Sequence, residues 1–132
     1  MTVHEMLYQV GLLSKTRFEP ADDEGKSAII IRLPDGRKQT IFGKTEHHGP
    51  DPVSILYTLV GESDGSTDLR HLLERNASLR YSRIAIFPGD RIVVFAVFDN
   101  IKTSVKECAP MLQEIAAVAD ELEREYFNRD EA

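Results

Sequence analysis

The residues best suited to chemistry in this chain are few, and each falls short of what its reaction needs. Gly43-Lys44-Thr45 spells the end of a phosphate-binding loop. Such a loop wraps phosphate in backbone amides and begins on a glycine that would fall at position 38, which is Lys38. The segment also reads as a strand end leading into a loop, with no helix to follow. His47 and His48, with Asp51 close by, are metal-ligand types. Adjacent side chains on an extended loop point apart, however, and a third and fourth ligand are not evident. His71, beside Arg70, reads as an exposed position on a short helix.

The acidic runs fare no better. Asp22-Asp23-Glu24 lies beside Pro20 and Gly25, where carboxylates are solvated; an acid–base pair needs one member desolvated so that the two pKa values separate. Asp64 to Asp68 alternates like the start of a calcium loop but lacks the spaced oxygens and the terminal Glu. Thr67 and Asp68 are better read as helix caps. Cys108 is the one cysteine, so no internal disulfide forms, and no His near it in sequence would activate it as a nucleophile. It reads as a small core residue. Asn76-Ala77-Ser78 is a glycosylation triplet by spelling alone. No catalytic residue, cofactor or metal is expected.

Composition narrows the class. With 132 residues the chain is expected to form a single domain, residues 1–132. A formal net charge of −6 argues against nucleic-acid binding, which needs several cations on one face. Arg80, Arg83 and Arg91 read as solvated charges on a hairpin. No apolar run approaches the roughly 20 residues of a membrane span. Met1 to Gly11 lacks the basic start and apolar core of a signal peptide, so a cytoplasmic location without membrane contact is expected.

The elements that would position any site are clearer. Val3, Met6, Leu7, Val10 and Leu13 fall at helical spacing, with Thr2 as the cap and Glu5 as its capping-box partner. Phe18 to Gly25 reads as a polar connection. Ala28 to Leu33 and Gln39 to Phe42 form a hairpin about Pro34-Asp35-Gly36. Val53 to Val60 is a third strand, with Val53, Ile55, Tyr57 and Leu59 on one face. A short helix follows from Leu69 to Arg75, with Leu69, Leu72 and Leu73 as its stripe and Asn76 at its end. Tyr81 to Phe87 and Arg91 to Phe98 pair about Phe87-Pro88-Gly89-Asp90. Thr103 or Ser104 opens a last helix with Met111, Leu112, Ile115, Val118, Ala119, Leu122 and Tyr126 on one side. Pro110 either kinks it or marks its start. The expected fold is α+β, an antiparallel five-stranded sheet with the order α-βββ-α-ββ-α.

The fifth strand asks for the most. Ile92 to Phe98 is apolar at every position, so both its faces call for cover. The two long helices can cover one. The other falls to the short helix and loops, or to a second subunit or a client polypeptide.

Leu72-Leu73-Glu74-Arg75-Asn76, the following hairpin, and Ala119-Asp120-Glu121-Leu122 in the last helix resemble the YbjN-like and type III secretion chaperone-like families. Pro110 and the His47-His48 loop have no counterpart in that pattern. The resemblance implies a small α+β domain, often dimeric, that binds polypeptide or regulates without catalysis. The function expected is therefore non-enzymatic protein binding, chaperone-like or regulatory, by a homodimer with Leu69, Leu72 and Leu73 at the dimer or partner contact. The alternatives are a regulatory domain sensing a small ligand between sheet and helices, and an enzyme of unknown class. A buried polar cluster under the last helix would favour the ligand; a broad exposed apolar patch would favour protein.

Overall fold

A computed structural model describes residues 1–47, 49–99 and 102–127. The chain runs α1 (Val3–Ser14), β1 (Phe18–Glu19), β2 (Ser27–Arg32), β3 (Lys38–Glu46), β4 (Val53–Glu62), α2 (Leu69–Arg75), a 3-10 turn (Asn76–Ser78), β5 (Arg83–Phe87), β6 (Arg91–Phe98) and α3 (Val105–Tyr126). The fold is α+β, and the strands form one antiparallel sheet in the order β1-β2-β3-β4-β6-β5. It has six strands where five were expected. The addition is β1, inside the stretch read as a polar connection, where Phe18 pairs with Ile29 and Glu19 with Ala28. Two residues carry no alternation to read. The hairpin β5–β6 turns back so that its second strand, apolar from Ile92 to Phe98, lies against β4, and the shorter β5 takes the edge.

α1 begins where expected: the Thr2 hydroxyl accepts the Glu5 N–H at 3.1 Å. Val3, Met6, Leu7 and Val10 are buried. Leu13, placed on the same stripe by its spacing, is 76% exposed. It lies at the margin of the stripe in the last turn, just before Lys15 closes the helix in the left-handed conformation. Gly43 explains how closely α1 approaches the sheet. A Cβ there would stand 2.7 Å from Leu7 Cδ1 and 3.0 Å from Val3 Cγ2. The glycine of the phosphate-loop spelling is thus a place where a helix rests on bare backbone, inside a strand that continues through Lys44 and Thr45.

α3 holds the architecture together. A full capping box opens it, with Ser104 and Glu107 each satisfying the other's backbone. The helix passes through Pro110 without ending, although proline offers no N–H to the turn before it. Cys108, Leu112, Ile115, Ala119 and Leu122 are buried, and the helix packs across β2, β3, β4 and β6 and against α1. Met111 and Tyr126 are half-buried at its flanks.

Register assigns the two faces of the sheet. Toward the helices point Ile29, Ile31, Ile41, Leu56, Val60, Ile92, Val94, Ala96 and Phe98, all buried. The alternating set Val53, Ile55, Tyr57 and Leu59 of β4 points the other way, beside Val97, Phe95 and Val93 of β6. The core-facing residues of β4 include Ser54 and Thr58, buried despite their polarity; the Thr58 hydroxyl donates to Thr40 O at 2.9 Å.

Ile115 and Leu122 are both fully buried under α3. Changing either to Ala is expected to cost about 2–5 kcal/mol in urea unfolding. A loss below about 0.5 kcal/mol for both would remove α3 as the anchor.

Candidate functional site

Two apolar surfaces remain uncovered, and they lie on opposite sides of the sheet. The first is a groove between α2 and the edge strand β5. Asp68 caps α2 by accepting the His71 N–H, and Arg75 to Glu121 and His71 to Glu125 tie the helix to α3. His71 therefore faces α3, with Tyr126 beside its ring, and is half-exposed rather than turned wholly to solvent. The Asn76 amide then clamps β5: its Oδ1 accepts the Ile84 N–H at 2.7 Å and its Nδ2 donates to Ile84 O at 3.1 Å. A side chain thus imitates a neighbouring strand. Leu69, Leu72, Leu73, Ile84, Ala85 and Ile86 line a hollow of about 120 Å³. Leu69 is 48%, Leu73 67% and Ile86 42% exposed, whereas Leu72 is 3% exposed and belongs to the core.

The segment entering β5 hangs from one carboxylate. Glu114 of α3 accepts the N–H groups of Arg80, Tyr81 and Ser82 at 2.9, 2.8 and 2.7 Å, and the Ser82 hydroxyl at 2.7 Å. Partial burial pushes its pKa up. The bonds from Arg80, Ser82 and Tyr81 outweigh that and hold the carboxyl below its ordinary value.

The second surface is the sheet face turned away from the helices. Phe42 and Tyr57 pack together at 5.6 Å between ring centroids, and Phe87 and Phe95 at 5.5 Å. Ile55 and Val93 are buried among these strands, but Leu59 stays 47% and Val97 53% exposed. A hollow of about 290 Å³ opens here, lined by Ile55, Tyr57 and Phe87 and rimmed by Lys26, Lys44 and Arg91 with Glu24 and Glu46. α2 does not reach this face; it packs on β5 from the helical side. The far side of the fifth apolar run, β6 here, is therefore closed by neither the short helix nor the long ones.

The remaining candidates fall into structural roles. Asp22 accepts the N–H groups of Glu24 and Lys26, and the Lys26 bond first of all lowers its pKa. Asp64 accepts from both the N–H and the hydroxyl of Ser66 in an exposed turn. His47 is exposed just after β3, His48 lies outside the described residues, and among the described residues no group of His, Cys, Asp and Glu is placed to hold a metal. Cys108 is fully buried, and burial pushes its thiol up to about 12, far from a thiolate at neutral pH. Asn76 spends its amide on Ile84. Under α3 the polar groups meet each other: Asp120 faces Arg37 and Arg124 at 3.6 and 3.0 Å, and Gln39 donates to Glu123 at 3.2 Å. No described helix is long and apolar enough to cross a membrane.

The two apolar surfaces were only partly accessible from sequence. The stripe Leu69, Leu72, Leu73 marks the first, although Leu72 turns inward. The alternation in β4 marks the second, but not the face to which it belongs.

No family model matches the chain, and no curated protein matches it. Among solved structures, the fold is like that of the Yersinia pestis type III secretion chaperone SycH, crystallised in complex with a stable fragment of YscM2. The TM-score is 0.59 at 14% identity, and the match covers 92% of this chain and 97% of that one. The likeness is one of fold. It agrees with the secretion-chaperone half of the resemblance seen in the sequence and adds nothing to the YbjN-like half.

Because its folded pKa is depressed, Glu114 lends stability that is present above the ordinary glutamate pKa of about 4.3 and is lost as pH falls through the lower folded value. Glu114→Gln is therefore expected to unfold at lower urea than the unmodified protein at neutral pH. That difference should shrink in acid. An equal difference at both pH values would show that the charge of Glu114 does not hold the segment.

Proposed function

We propose that the chain is a non-enzymatic protein-binding domain, chaperone-like or regulatory, working as a cytoplasmic homodimer. The observation that carries this reading is the amount of apolar surface left bare: Leu69, Leu73 and Ile86 on one side of the sheet, Leu59 and Val97 on the other. Apolar side chains left bare about a hollow, as Leu69, Leu73 and Ile86 are, suit a place where protein docks. The fold it shares with a secretion chaperone supports the same reading, and so does the internal pairing of the polar groups beneath α3, which leaves a small ligand little to bind. An enzyme would need an activated group, and Cys108 is the reverse of one.

The groove of α2 and β5 is the proposed contact between subunits. A two-fold axis there lets Leu69 and Leu73 of each subunit fill the apolar hollow of the other, so that one patch serves both. A stable dimer of this kind buries roughly 1,200–2,000 Å² in total. Leu72 is the wrong residue to probe, since it is buried and its loss would report on folding. Leu73→Asp is the clean variant. Sedimentation equilibrium at micromolar concentration is expected to give twice the 14.9 kDa chain mass for the unmodified protein and a shift toward monomer for Leu73→Asp, with thermal unfolding preserved. A monomer for the unmodified protein at high concentration would end the dimer reading.

A further inference from the structure

The charge of this protein is sorted between its two sides, and the sorting says what kind of polypeptide the open sheet face takes. The chain as a whole carries −6, and α3 is rich in acid: Glu107, Glu114, Asp120, Glu121, Glu123 and Glu125 against Lys106 and Arg124. On the helical side the arginines are paired. Arg37 and Arg124 meet Asp120, Arg75 meets Glu121, and Arg70 meets Glu74. On the open face the register places Arg32, Lys38, Lys44, Arg83 and Arg91. Lys44 is paired, with Glu46 at 3.2 Å, but among the described residues no carboxylate pairs with Arg32, Lys38, Arg83 or Arg91, although one Arg83 nitrogen already donates to Leu79 O and Ser82 O. The acids that share this face, Glu19, Glu24, Glu46 and Glu62, are fewer than its cations with Lys26 included; Glu19 is taken by Arg17 and Glu24 by Lys26, while Glu62 stands across from Arg91 in the register without an ion pair among the described residues. Arg91 stands at the rim of the apolar hollow with its Nε donated only to Pro88 O, so most of its fork is open to an incoming carboxylate.

We infer that the open sheet face is a docking site for an acidic, apolar-bearing polypeptide segment, whose aliphatic or aromatic side chains enter the hollow over Ile55, Tyr57 and Phe87 while its carboxylates meet Arg91, Arg83 and Lys38. This rests on the protein-binding reading and adds the chemistry of the partner. The occupant is not a second copy placed face to face, because the face holds more cations than acids and two copies would meet with like net charge. Setting the acidic α3 side of one copy on the basic face of the next gives a head-to-tail contact that does not close. A nucleic acid is disfavoured by the chain's net charge of −6, which repels a polyanion as a whole, even though the face carries aromatic rings on which bases could stack.

The test is fluorescence anisotropy with the full chain and three labelled probes: a peptide alternating Leu or Phe with Glu, the same peptide with Lys for Glu, and an oligothymidylate. Binding of the Glu peptide is expected, weakening as salt rises. Arg91→Glu and Lys38→Glu, both exposed, should each lower its affinity by about tenfold with thermal unfolding unchanged. Equal binding of the Lys peptide, or indifference to both variants, would overturn the acidic partner and leave protein binding standing. Preference for the oligothymidylate would make the face a nucleic-acid site, and growth of open assemblies that compete with the Glu peptide would give it to a second copy. If no peptide binds while Leu73→Asp still breaks a dimer, this inference fails and the subunit contact survives.

Discussion

Everything in this molecule depends on one contact, the buried stripe of α3 against the middle of the sheet. Leu112, Ile115, Ala119 and Leu122 seat the helix across β2, β3, β4 and β6, and α1 wedges in beside it on the bare backbone of Gly43. The hydrophobic gain from that burial is what closes the core in a chain with one cysteine and no described metal site. The same contact fixes the asymmetry of the fold. Two long helices on one face leave none for the other, so strands that are apolar on both sides must end with one side uncovered.

That asymmetry orders the surface. Acid gathers on and around α3, where it also builds structure: Glu114 gathers three backbone N–H groups, and Asp120 bridges Arg37 and Arg124. Base gathers on the bare face among aromatic rings. Leu59 and Val97 stay about half in water, and Arg91 stands at the rim of an apolar hollow whose carboxylates, Glu24 and Glu46, meet Lys26 and Lys44. The fold shared with SycH belongs to a protein crystallised with a fragment of another.

Long periodic elements were legible in the sequence because burial writes them directly. The stripe of α3, that of α1 apart from Leu13, the capping residues Thr2, Asp68 and Ser104, and the hairpin turns fall where residue spacing and turn chemistry place them. β1 was not legible, since two residues give no period. The direction of β4 was not legible either, because both its faces hold apolar residues and the buried one is diluted by Ser54 and Thr58. Leu72 and Leu73 are adjacent, and a helix turns about 100° between neighbours. One had to turn inward, but the sequence does not say which. The charged face was invisible for a further reason: Arg32, Lys38, Arg83 and Arg91 are scattered along the chain and meet only once β2, β3, β5 and β6 are in register.

The Asn76 clamp carries a consequence for how the protein behaves in a crowd. An unguarded sheet edge is a template on which further chains add, strand upon strand, until a fibril grows. Here one edge ends in the two residues of β1, too short to seed a new strand, and the other meets a carboxamide that already satisfies both backbone groups of Ile84. A fold that leaves apolar side chains bare is thereby given a shortened backbone template at both edges of its sheet. The risk of being sticky is confined to side chains, where shape and charge choose the company.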